Sequence, residues 1–157
     1  MDENWIKQNS TGQVEILIAD RDKKTRSALK LMVLNTHKRA VITEAASAND
    51  LQRLAVSNPF DIALVDWDLT RNNGNETLIS LLKDCQPGLV IIALSARVED
   101  QAAALELGAD TYVYKGDLPE NLHRTLQSYL DSAVEQTGHS QLGTASCSHA
   151  MFRHYIM

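Results

Sequence analysis

Cysteine is scarce in this 157-residue chain: there are two, Cys85 and Cys147, far apart and without a Cys-x-x-Cys spacing. That argues against a structural disulfide and fits thiols in a reducing cytoplasm. Long hydrophobic runs are missing too, so no segment has the length to span a bilayer. The opening stretch MDENWIKQNSTGQ has no basic region leading into an apolar one, and does not read as a secretory signal. Basic charge is not in excess; the formal net charge is −5 and Lys and Arg are scattered, which leaves no patch for nucleic acid. Internal repeats are absent. What remains is the expectation of one cytoplasmic domain, with 44% hydrophobic residues and enough chain to bury a core without staples.

Five short apolar runs recur: VEILIAD (14–20), AVITEAA (40–46), DIALVD (61–66), LVIIALS (89–95) and DTYVYK (110–115). Several are continuously apolar and rich in Val and Ile, as strands covered on both faces of a parallel sheet are. Helix-period segments lie between them. In 22–35 the residues Thr25, Ala28, Leu29, Met32 and Val33 share a face, with Asp22 as N-cap. Ser47, followed three residues on by Asp50, opens 47–58 in a near capping box. Leu78, Leu81 and Leu82 line 75–84, which Pro87-Gly88 ends. Segment 99–108 is Ala-rich and stops at Gly108. Leu118, Leu122, Leu126, Tyr129 and Leu130 form a stripe in 117–134.

This order, (βα)5, predicts an α/β fold: a doubly wound, five-stranded parallel sheet of flavodoxin-like type, with right-handed crossovers and helices on both faces. Residues 1–12 read as a flexible leader, 13–135 as the domain and 136–157 as a C-terminal tail.

Ligands of open α/β sheets sit at the carboxyl ends of the strands. There the runs end on Asp20, Asp66, Ser95 and Lys115, with Asp68 two residues past Asp66. Two carboxylates in a partly dry crevice repel, and a hard divalent cation such as Mg²⁺ relieves them. A hydroxyl and an ammonium on the same rim complete a cradle for a phosphoryl group. An Asp carboxylate is itself a competent nucleophile, giving an acyl phosphate. A lone Asp after a strand is usually a turn residue or a helix cap; four complementary groups at four strand ends favour the shared site.

With ILIADRD, DIALVDWDLTRNNG (Gly74 at the expected distance after Asp66), IIALSA and GADTYVYKG, residues 13–131 resemble the response-regulator receiver domains of two-component signalling. The resemblance implies that Asp66 accepts a phosphoryl group from a histidine kinase or phosphotransfer protein. Asp20 and Asp66 would bind Mg²⁺, with the Asp68 backbone carbonyl. Ser95 and Lys115 would bind the phosphoryl oxygens. Ser95 and Tyr112 would form the switch, the ring moving inward as the surface of the fourth helix, fifth strand and fifth helix changes for a downstream protein. Trp67 would serve as a fluorophore beside Asp66. A homodimer through that surface follows on the same grounds, and direct nucleic-acid or membrane contact does not.

Three departures stand out. Arg21 occupies the place of the family's second acid, weakening Mg²⁺ binding or supplying positive charge of its own, with Asp22 a partial substitute. Lys115-Gly116 replaces Lys-Pro, leaving a trans or strained turn, since a cis peptide is costly without proline. Thr70 stands where proline is usual. Two rival readings remain: a degenerate receiver acting as a phosphate-independent interaction module, and a haloacid-dehalogenase-like phosphatase, whose D-x-D-x-T motif DWDLT also matches. Against the latter, a full βαβα unit precedes the motif and no further acidic motif follows Lys115. The expectation is therefore of a non-enzymatic, stand-alone or excised receiver. In the tail, Cys147, His149 and His154 make a weak zinc set, and Met151, Phe152, Tyr155 and Ile156 suit a short docking helix.

Overall fold

The computed structural model describes residues 13–71 and 77–135. The leader, Gly74 and the tail with its zinc and docking-helix readings lie outside the described residues. The elements are β1 (Val14–Ala19), α1 (Lys23–Thr36), β2 (Ala40–Ala45), α2 (Ala48–Ser57), β3 (Ile62–Asp66), one helical turn (Trp67–Arg71), α3 (Thr77–Cys85), β4 (Val90–Ser95), α4 (Asp100–Glu106), β5 (Thr111–Tyr114), a 3₁₀ turn (Lys115–Asp117) and α5 (Glu120–Glu135). The sheet runs β2-β1-β3-β4-β5, with every neighbouring pair parallel. The doubly wound α/β expectation is met.

Strand side chains alternate between two cores. Leu17, Ala19, Ala63, Val65, Ile91 and Ala93 pack on one face with Leu51 and Ala55 of α2, Ile79 and Leu82 of α3, and Ala104 of α4. Ile16, Ile18, Ile62, Leu64, Ile92 and Leu94 pack on the other with Leu29 and Val33 of α1 and Leu122 and Leu126 of α5. All five positions of β3 are buried, so its apolar run needs no polar alternation. Edge strand β2 is half open and exposes Val41.

Caps form where the sequence places them. The Asp22 carboxylate accepts from the Thr25 N–H at 3.0 Å and the Thr25 hydroxyl at 2.6 Å, and the Ser47 hydroxyl accepts from the Asp50 N–H at 3.1 Å. Gly108 ends the α4 region at φ +121°, a conformation that a β-carbon disfavours. The α1 stripe is narrower than expected, because Ala28 is exposed. Among the described residues the one cis peptide is Leu118–Pro119, so Lys115–Gly116 is trans. A β-carbon at Gly116 would meet the Tyr114 ring, with Cζ at 2.6 Å and Oη at 2.9 Å, so a side chain there would have to displace that ring.

One expectation is corrected. Cys85, fully buried at the end of α3, is disulfide-bonded rather than a free thiol. Separation along the chain does not measure the Cα geometry that decides pairing; the other cysteine, Cys147, lies outside the described residues. Among the described residues no helix is long and apolar enough to cross a membrane.

Leu126, on the inner face of α5, is fully buried. Leu126→Ala is expected to destabilise the domain by about 2–5 kcal/mol, read as a lower urea midpoint at unchanged slope.

Candidate functional site

Sheet order decides where the site lies. From β1 the chain crosses by α1 to edge strand β2, then returns to place β3 on the opposite side of β1. The connections leaving β1 and β3 therefore diverge to opposite faces and open a crevice between the two strand tips. Asp20 directly follows β1 and Asp66 is the last residue of β3. Ser95 ends β4, and Lys115 follows β5.

The Lys115 ammonium joins the two acids. Its Nζ donates to Asp20 Oδ2 at 3.0 Å and to Asp66 Oδ1 at 3.0 Å. Asp20 is 2% exposed and Asp66 6%. The second Asp20 oxygen accepts from the Asp22 N–H at 2.8 Å, which fixes that carboxylate. Burial pushes the Asp66 carboxyl above its ordinary range; the Lys115 hydrogen bond opposes this, while the Asp20 and Asp68 charges add to it. Burial pulls the Lys115 ammonium down, but its hydrogen bonds and attraction to Asp66 and Asp20 prevail and leave it above its ordinary value.

The surroundings divide the remaining candidates. Asp22 is engaged as the cap of α1, and hydrogen bonds to Thr25 hold its carboxyl below its ordinary value. Arg21 is exposed beside Asp20. Asp68 lies on the helical turn after β3, half-buried. In that turn Thr70 is fully buried, its hydroxyl donating to the Trp67 carbonyl at 2.8 Å, so threonine closes the turn where a proline was expected. Arg26, not anticipated from the sequence, braces the β1 tip: Nη1 donates to the Asp20 carbonyl at 2.8 Å and Nε to Glu44 Oε1 at 2.9 Å. The lone acid in AVITEAA was its one sequence signal.

Around Ser95 the structure adds residues that strand-end reasoning missed. The Ser95 hydroxyl donates to Asp100 Oδ2 at 2.6 Å and accepts from the Arg97 N–H at 3.0 Å. Arg97 Nε and Nη2 each reach Asp100 at 3.3 Å. The Tyr112 ring packs against the core and its hydroxyl donates to the Arg97 carbonyl. Asp20, Asp66 and Lys115 are thus brought into contact, while the Ser95 hydroxyl is directed to Asp100.

Among the described residues no three His, Cys, Asp or Glu side chains converge on a metal position. The rim offers two neighbouring carboxylates, a donor set that fits Mg²⁺, which binds one or two carboxylates and keeps several waters. The Lys115 ammonium beside them is a donor suited to a phosphoryl oxygen, whereas the carboxylates repel a phosphoryl dianion unless a cation lies between.

The family model of the response regulator receiver domain matches residues 16–151. The nitrate/nitrite response regulator protein NarL of Escherichia coli strain K12 is 32% identical over 112 residues, 71% of this chain and 52% of that protein. An uncharacterized 14.6 kDa protein of Leptolyngbya boryana is 32% identical over 121 residues, 74% of this chain and 90% of that protein. The crystal structure of a CheY-like receiver domain protein from Methanospirillum hungatei JF-1 matches with a TM-score of 0.67 at 26% identity, covering 80% of this chain and 99% of that one. This chain spans about half the length of NarL.

Two titrations follow from the ion contacts. Lys115 has a folded pKa above its unfolded 10.5, so its stabilisation is complete below that pH and is lost as pH rises through the higher folded value. Asp66 also has a folded pKa above its unfolded 3.8, so folding is favoured below 3.8 and that advantage disappears as pH rises to the folded value. In Lys115→Met the alkaline loss from this group vanishes and the acid-side loss grows, because Asp66 then ionises without its partner. Urea midpoints of both proteins across pH measure the difference.

Proposed function

The chain belongs to the response regulator receiver domain family, and from that premise we propose that Asp66 accepts a phosphoryl group from a histidine kinase or phosphotransfer protein. The observation that carries this reading is the buried Asp66 carboxylate held beside Asp20 by the Lys115 ammonium. An Asp66 oxygen bonds phosphorus as the donor's P–N bond breaks, the electron pair staying on the imidazole nitrogen, which takes a proton. Lys115 opposes the upward push of burial on the Asp66 carboxyl, and then offers its N–H to a phosphoryl oxygen. Ser95 donates its O–H to another. Receiver domains bind Mg²⁺ at the phosphorylation site; here Asp20 and Asp66 carboxylates and the Asp68 carbonyl would hold it, and it supplies charge neutralisation.

The product carries about −1.5 to −2 of added charge. The switch we infer moves Ser95 with Tyr112 and alters the α4-β5-α5 surface for a downstream protein or a second copy. α4 suits that task because Ala104 is its one buried apolar residue, and lightly anchored elements shift at low free-energy cost. Receiver domains are in general signalling modules rather than enzymes. In this reading residues 13–135 form the receiver, working in the cytoplasm without direct nucleic-acid or membrane contact. A second reading rests on Arg21: with positive charge in place of an acid, the domain serves as an interaction module whatever its phosphorylation state.

Intact-mass analysis after acetyl phosphate and Mg²⁺ is expected to give one phosphoryl adduct in wild type and none in Asp66→Asn. Chelating the metal lowers the labelling, and Arg21→Asp tightens Mg²⁺ by about ten-fold or more, since ligand charge sets affinity, followed through Trp67 emission. An unlabelled wild type whose partner binding ignores Asp66→Asn establishes the interaction module instead.

A further inference from the structure

We propose that Asp100 is a positioning residue that withholds the Ser95 hydroxyl from a phosphoryl group on Asp66, and so sets how readily the phosphorylated state forms. This rests on the phosphoacceptor reading of Asp66. A serine hydroxyl has one hydrogen to donate. Here it goes to Asp100 Oδ2 at 2.6 Å, at the buried tip of β4. The Ser95 Oγ itself accepts from the Arg97 N–H at 3.0 Å, which fixes the hydroxyl's orientation. A hydrogen bond to a carboxylate is charge-assisted, roughly twice as strong as a neutral one. A phosphoryl oxygen must therefore win the hydrogen from a competitor already in place.

Arg97 makes the exchange reversible. Its guanidinium contacts Asp100 twice at 3.3 Å. When the Ser95 hydrogen turns away, Asp100, only 9% exposed, keeps that partner and is not stranded as an unpaired buried charge. The Arg97 carbonyl meanwhile accepts the Tyr112 hydroxyl. One residue thus touches the hydroxyl, its present acceptor and the ring. Asp100 is also the first residue of α4, so its bond to Ser95 ties the strand tip to the start of that helix. Exchange of the hydrogen to a phosphoryl oxygen releases that tie.

The test is a double-substitution cycle on the full chain. Binding of beryllium fluoride with Mg²⁺, as a phosphoryl mimic, is measured by titration calorimetry for wild type, Asp100→Ala, Ser95→Ala and the pair. Asp100→Ala is expected to raise affinity about ten-fold. The gain in the presence of the Ser95 hydroxyl exceeds that in the Ser95→Ala background by about five-fold or more. Loss of negative charge alone acts equally in both backgrounds, and structural damage lowers the melting temperature without a gain that depends on Ser95. Equal gains, or none, overturn the assignment of Asp100 while leaving Asp66 as acceptor. Absence of binding by all four proteins overturns the phosphoacceptor reading and this one with it. Asp100→Ser, suited to a first helical turn but too short to reach Ser95, runs the same cycle if the alanine variant does not fold.

Discussion

One ammonium between two buried carboxylates is the constraint on which the site depends. Both acidic oxygens lie 3.0 Å from Lys115 Nζ. At an effective dielectric of about 20, each such contact attracts by about 5 kcal/mol, and the two attractions act against the mutual repulsion of the acids. Desolvation takes back much of the difference, but the sign holds: Lys115 offsets the cost of placing two carboxylates side by side in a buried crevice. Lys115 reaches them from the far edge of the sheet, beyond β4 and β5. The register of three strand pairings therefore feeds directly into the electrostatics of Asp66.

The two sides of that crevice are built differently. On the β1 side, Asp20 is held by the Asp22 N–H and by Lys115, and its carbonyl by Arg26, which is anchored in turn to Glu44 on β2. These contacts pin a strand tip whose neighbours are buried apolar residues, and such regions open only with the whole domain. The β4 side relies on polar contacts within a short loop and on one alanine of α4. A charge placed on Asp66 meets a rigid wall on one flank and a yielding one on the other. In the proposed switch, that asymmetry of packing favours motion toward α4 and β5.

Much of this was legible in the chain because it is local. Apolar runs that stop on Asp20, Asp66, Ser95 and Lys115 locate the strand tips, and Asp22, Ser47 and Gly108 punctuate the helices through side-chain chemistry that acts within three or four residues. The Arg26–Glu44 brace was not legible, since it joins a helix to a strand through sheet order. Nor was the Ser95–Asp100 bond: a polar residue five positions past a strand reads as an ordinary first-turn acid, and only the loop's path turns it back. Gly116 looked like a loss of the family's proline; the Tyr114 ring lies over it and a side chain would have to displace that ring. Cys85 failed for the same reason as Arg26, because pairing is decided in space.

Arg21 sets two effects against each other. An acid at that position would add a ligand to a bound cation, and its absence removes a direct contact that solvent does not screen. The guanidinium in its place is exposed, and an exposed charge acts through water and salt, with a screening length of about 8 Å at physiological ionic strength. Its attraction for a phosphoryl dianion is therefore the smaller of the two effects. The balance leaves the cation less tightly held and gives the buried Lys115 a larger share of the charge compensation. In the proposed function, a receiver arranged this way would rely on the ammonium it carries more than on a recruited metal. The same ammonium opposes the effect of burial on Asp66 in the resting site, and in the proposed phosphorylated site it would meet a phosphoryl oxygen, so one side chain would serve both.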